Sequence, residues 1–88
     1  MASKTVKVGS SVGLHARPAS IIADAAAEYD EDIFLALAGE EDDDETDAAS
    51  SLMIMALGAE QGDEVTVTSD NADAVEKIAG LIEQDLDA

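Results

Sequence analysis

Polar and apolar residues alternate at Thr5-Val6-Lys7-Val8, the signature of a strand with one buried face. A turn-rich run, Gly9-Ser10-Ser11-Val12-Gly13, follows it. From residue 16 to residue 29 the period changes. Ala19, Ile22, Ala23 and Ala26 fall at the three-and-four spacing of one helical stripe, and the many alanines favour a helix that packs closely on a sheet. Ile33, Leu35 and Leu37 then alternate with Phe34, Ala36 and Ala38, which predicts a second strand, apolar on both sides and ended by Gly39. An acidic run occupies 40–45, and residues 46–49 are expected to add a short third strand. Residues 50–57 read as a short helix that opens on two capping-type serines, Ser50 and Ser51, and stops at Gly58. Gln61-Gly62-Asp63 is a turn, and residues 64–68 alternate as a last strand. Ser69, Asp70 or Asn71 can cap a final helix, whose buried stripe is Val75, Ile78, Ile82 and Leu86. Strand, helix, strand, strand, helix, strand, helix in so short a chain predicts an α+β layer, with the helices on one face of a sheet.

The chain's 88 residues make one domain, 1–88, small but able to fold alone. Hydrophobic residues are 47% of the chain, but 17 of them are alanine, so the core is built of small pieces. With no cysteine, neither a disulfide framework nor a thiolate metal site is possible. No run approaches the ~18 apolar residues a membrane helix needs, and the first residues lack the apolar segment of a signal peptide. A cytoplasmic protein without membrane insertion is expected.

Charge sharpens this picture. Four Lys and Arg stand against 21 Asp and Glu, a net charge of −17. A nucleic-acid partner is excluded on this count, because phosphate neutralisation needs a basic footprint. Self-repulsion of this size opposes a compact state in dilute buffer. Near 1 M salt, where the screening length is ~3 Å, the penalty largely disappears. Scarce lysine, abundant carboxylates and small apolar residues suggest adaptation to a high-salt cytosol, an acidic mesophilic protein being the alternative. The run at 40–45 lacks the spaced ligands and turn glycine of a calcium loop, and reads as a solvated loop. Residues 1–23 behave oppositely: they hold Lys4, Lys7 and Arg17 and no carboxylate, while Lys77 and all 21 carboxylates lie beyond. An anion bound in this first stretch meets little repulsion.

Candidate chemistry falls in the same stretch. Gly13-Leu14-His15-Ala16-Arg17-Pro18-Ala19 contains the chain's only histidine, arginine and proline. A neutral imidazole is a nucleophile near pH 7. A guanidinium two residues on is a permanent planar cation suited to phosphate or carboxylate oxygens. Proline is at home in the first turn of a helix, where its missing N–H costs nothing. Together they describe a histidine at a helix N-terminus with a cation at hand, a place to bind or carry an anion. The residues leave open whether Ala16 or Pro18 is first in the helix, since proline biases Arg17 away from helical angles. No metal cluster can form around a single histidine in a stretch without carboxylates, and no paired acid and base is present. Such a chain is not expected to turn over a substrate alone.

The motif resembles that of the HPr family, the histidine-containing phosphocarriers of the phosphoenolpyruvate-dependent sugar phosphotransferase system. A second block, Ser50-Ser51-Leu52-Met53-Ile54-Met55-Ala56-Leu57-Gly58, is similar to that family's second signature, and Gln61-Gly62-Asp63-Glu64-Val65 continues it in register. The resemblance covers nearly the whole chain. It implies an open-faced β-sandwich, a four-stranded antiparallel sheet covered on one face by three helices in the order βαββαβα. It implies that His15 accepts a phosphoryl group on one ring nitrogen, Nδ1 in the family, from phosphorylated enzyme I and passes it to an enzyme IIA. Arg17 would then sit beside that group, and the backbone N–H groups of Ala16 and Arg17 would add support. No cofactor is implied. A phosphotransferase-type kinase stays open as a further acceptor, and a monomer is expected.

Transfer between two histidines demands close approach of partners, hence an apolar patch near His15. Leu14, Ala16, Ala19, Leu52, Met53 and Met55 are candidates, whereas Ile54 and Leu57 are assigned to the core. The chain departs from the family by an acidic insertion of about four residues ahead of the second block. Where many members carry a regulatory serine, Ser50 or Ser51 stands here, without a basic residue before it, and serves better as a helix N-cap. Two other classes remain: a regulatory module of the same fold switched by phosphorylation of His15, and a small hydrolase using His15 as base, for which no companion motif exists.

Overall fold

The computed structural model describes residues 2–39 and 46–84. The acidic run at 40–45 and Leu86 of the predicted stripe lie outside them. The element order is β1 (Ala2–Lys7), α1 (Ala16–Ala26), β2 (Ile33–Leu37), β3 (Thr46–Asp47), α2 (Ser51–Leu57), β4 (Glu64–Ser69) and α3 (Ala72–Glu83). The four strands form one antiparallel sheet in the order β1-β4-β2-β3, and this is the open α+β sandwich expected above.

Alternation decides which face is covered. Register pairs Val6 with Val65 and Leu35 with Val67, so these side chains share the face beneath the helices, and all are buried. On the opposite face Thr5 and Thr66 stand side by side, their hydroxyl oxygens 2.8 Å apart. The helices complete the core with Ile22 from α1, Ile54 from α2, and Ile78 and Ile82 from α3, each fully buried. The predicted α1 stripe of Ala19, Ile22, Ala23 and Ala26 is buried throughout.

Boundaries differ where backbone pairing overrides side-chain pattern. β1 starts at Ala2 rather than Thr5, because Ala2, Ser3 and Lys4 pair with Ser69, Thr68 and Val67. Val8 leaves the strand and is bonded to a turn instead. α1 stops at Ala26, three residues early: Glu28 and Tyr29 donate to Ala25 and Ala26, and these tighter bonds take the chain out of the α-helix. β3 is two residues long, with Ala48 and Ala49 already turning. Asn71 is the α3 cap, its side chain accepting from Ala74 N–H at 3.1 Å. No helix among the described residues is long and apolar enough to cross a membrane.

Candidate functional site

His15 is the N-cap of α1 in an extended conformation, with φ −87 and ψ −164. Its carbonyl accepts the first helical bond, from Ala19 N–H at 2.8 Å. Ala16, Arg17 and Pro18 are therefore the first three helical residues, which resolves the start of the helix in favour of Ala16. The N–H groups of the first turn have no carbonyl behind them to bond. Here those groups belong to Ala16 and Arg17, since Pro18 has none. Pro18 instead buries its ring in the core side of the helix.

The imidazole is exposed and makes no capping hydrogen bond to its own helix. Arg17 is exposed too, and among the described residues the one ion pair is Lys4 with Glu76, so the guanidinium is not neutralised by a carboxylate. No acidic residue occupies the first turn. Two features therefore make this end of α1 positive: the unbonded amides of Ala16 and Arg17, which carry the positive end of the helix dipole, and the guanidinium two residues on from the ring. Chemically, this is a nucleophilic ring beside a place for oxyanions.

The loop before His15 is fixed by glycine. Gly13 has φ +74, a conformation that side chains with a Cβ rarely adopt, and it turns the chain so that Leu14 N–H donates to Ala59 O at 3.0 Å. Leu14 is consequently driven into the core, with 3% of its surface exposed. It cannot be a docking residue, contrary to expectation. Ala19, on the stripe of α1, is buried for the same reason that it is apolar at helical spacing.

At the other end of α1 the surroundings are reversed. The last turn has no basic residue, and Asp30, Glu31, Asp32 and Asp47 line a cleft of about 230 Å³ together with Tyr29 and Ile33.

Residues 2–84 match the sequence family described as PTS HPr component phosphorylation site. The chain belongs to the HPr family. The phosphocarrier protein HPr of Streptomyces coelicolor is 39% identical over 90 positions, covering 99% of this chain and 94% of its own. Among solved HPr structures, the crystal structure of HPr-C-His from Thermoanaerobacter tengcongensis has a TM-score of 0.84 at 28% identity, over 100% of this chain and 98% of the other. That of the phosphocarrier protein HPr from Bacillus anthracis has 0.79 at 31% identity, over 92% and 95%.

Against this HPr framework the remaining candidates sort by exposure. Leu52 and Met53, in the first turn of α2, are 73% and 44% exposed, while Ile54 beside them is fully buried. Met55 is half-buried and packs on the core, leaving only part of its side chain at the surface. Ala16 is exposed. Val12, three residues before His15, is 49% exposed and extends this set of exposed apolar residues beyond those the sequence singled out. Its signal was an apolar residue stranded among the serines and glycines of a turn. Ser50, not Ser51, is the N-cap of α2, its Oγ accepting from Met53 N–H at 3.3 Å.

Proposed function

We propose that this member of the HPr family accepts a phosphoryl group on the His15 imidazole from phosphorylated enzyme I, ultimately from phosphoenolpyruvate, and passes it to a histidine of an enzyme IIA during sugar uptake. The observation that carries this reading is the exposed, uncapped ring of His15 at the N-terminus of α1, with exposed Arg17 two residues on. The lone pair of one ring nitrogen forms the new N–P bond as the donor's N–P bond breaks, and the pair from that bond returns to the donor ring. Phosphoryl transfer has a loose transition state with charge spread over three equatorial oxygens, so positioning and cationic support supply most of the catalysis. Arg17 and the amides of Ala16 and Arg17 face that charge, and they also favour the dianion once it rests on the ring.

Ala16, Leu52, Met53 and Val12 are the exposed apolar residues on which a partner would close around the ring. Met53 suits several partners, because its thioether side chain adapts to differing surfaces. The protein works in this reading as a cytoplasmic monomer at high salt, a carrier that turns over nothing alone.

Incubation with enzyme I and phosphoenolpyruvate in molar KCl, followed by intact mass, tests it. One acid-labile phosphate on the wild type and none on His15→Ala is the expected result. A phosphate that persists in His15→Ala would remove the reading.

A further inference from the structure

Residues 8–14 lead to His15 with no strand or helix of their own. The turn at residues 59–63 meets this loop at both ends, and the end of α3 meets it at Gly9, whose N–H donates to Ile82 O at 2.9 Å. At the near end Val8 N–H donates to Asp63 O at 2.9 Å, and Gly62 N–H donates to Val8 O at 3.0 Å. At the far end Leu14 N–H donates to Ala59 O, one residue before the histidine. The two segments touch so closely that a Cβ on Gly13 would stand 2.5 Å from Ala59 O and 3.0 Å from Glu60 Cα.

What shapes the turn itself is Asp63. Its Oδ2 accepts from Glu60 N–H at 2.9 Å, and its own N–H donates to Glu60 O at 3.0 Å. Residues 60–63 are all exposed, so packing does little to hold them. A hydrogen bond to a carboxylate is of the stronger, charge-assisted kind. Glu60 and Glu64 stand close by in the chain, and of the three carboxylates Asp63 is the one whose side chain accepts a backbone N–H.

We infer that Asp63 is a positioning residue for His15: by closing the 59–63 turn it fixes Ala59 O, and through Leu14 it fixes the backbone from which the imidazole projects. The inference rests on His15 being the phosphoryl acceptor. Asp63→Ala removes the bond and the charge, whereas Asp63→Asn removes the charge and keeps an oxygen that accepts from Glu60 N–H.

The test uses the full chain in molar KCl as the varied substrate of phosphorylated enzyme I. Asp63→Ala should lower kcat on the order of tenfold, the scale of a small misplacement of a reacting group. KM should change less than kcat, because Leu52 and Met53 lie on a different element and only Val12 of the docking residues lies in the loop. Asp63→Asn should recover most of the rate, and Leu14 amide exchange should quicken in Asp63→Ala alone. Equal rates for the two variants would assign the effect to charge and overturn the inference. So would a raised KM at unchanged kcat, which is the mark of a smaller folded fraction. If the wild type takes up no phosphate the relay reading fails, and Leu14 exchange then decides the brace by itself: unchanged exchange in Asp63→Ala overturns it.

Discussion

The two ends of α1 lie roughly 16 Å apart at 1.5 Å per residue, and each carries charge of the sign its helix dipole disfavours. The N-terminal end, where the dipole is positive, has Arg17 and no acid. The C-terminal end, where it is negative, has Glu28 just beyond the helix, Asp30, Glu31 and Asp32 after it, and no base in its last turn. Each misplaced charge costs an exposed helix ~0.3–1 kcal/mol at low ionic strength. The ends differ in what the cost yields. At the first end, in the proposed relay, the unbalanced potential would serve an incoming dianion at one defined ring. At the second nothing specific is gained, and the carboxylates belong to a surface whose repulsion solvent cations relieve.

The comparison is broken most severely at its positive end. Arg17→Ala should slow phosphoryl uptake on the order of 100-fold, the scale for losing one preorganised donor to developing charge, while leaving the unfolding midpoint in molar KCl nearly unchanged, since screening removes the dipole cost there; initial rates by intact mass would measure it. A fall of less than threefold would place the needed charge elsewhere. At the negative end Glu28→Lys should leave uptake untouched and raise stability by ~0.3–1 kcal/mol in dilute buffer, a gain that vanishes in molar KCl as screening tightens. Denaturant midpoints at the two salt concentrations check both parts.

The smallest effect belongs to the exposed pair of Lys4 and Glu76, 2.9 Å apart. The hydrogen bond to Glu76, and then its charge, hold the Lys4 ammonium above the ordinary lysine range. A raised value means that the pair's contribution is fully present below the ordinary lysine value and is lost as pH rises through the folded one. Glu76→Gln should therefore differ slightly from wild type at neutral pH in dilute buffer and not at all in strong alkali or high salt, as thermal melts would show.

How far the chain could be read depended on which kind of bond was in question. Period two and period three-to-four located β1, β2, β4, α1 and α3, since Val65, Val67, Leu35 and the α1 stripe are buried for being apolar at those spacings, whereas α2 was read from its capping serines and Gly58. His15 and Arg17 were legible as the sole residues of their kinds. Leu14 misled, because an apolar residue beside a functional histidine looks the same whether it faces a partner or the core. The backbone bond to Ala59 that decides the matter has no side-chain signature. The same holds for Asp63, which read only as part of a turn, and for the first residues of β1, whose place is set by pairing with β4. The early end of α1 had no glycine to announce it.

One consequence of Pro18 remains. A helix opening usually presents three amides to an anion, and here the third is missing, so in the proposed relay a group with three outer oxygens would be gripped by fewer main-chain donors than its number of handles. A storage site would be poorer for that shortfall. A protein that must surrender its load within a brief encounter is better for it, because what is held loosely leaves quickly.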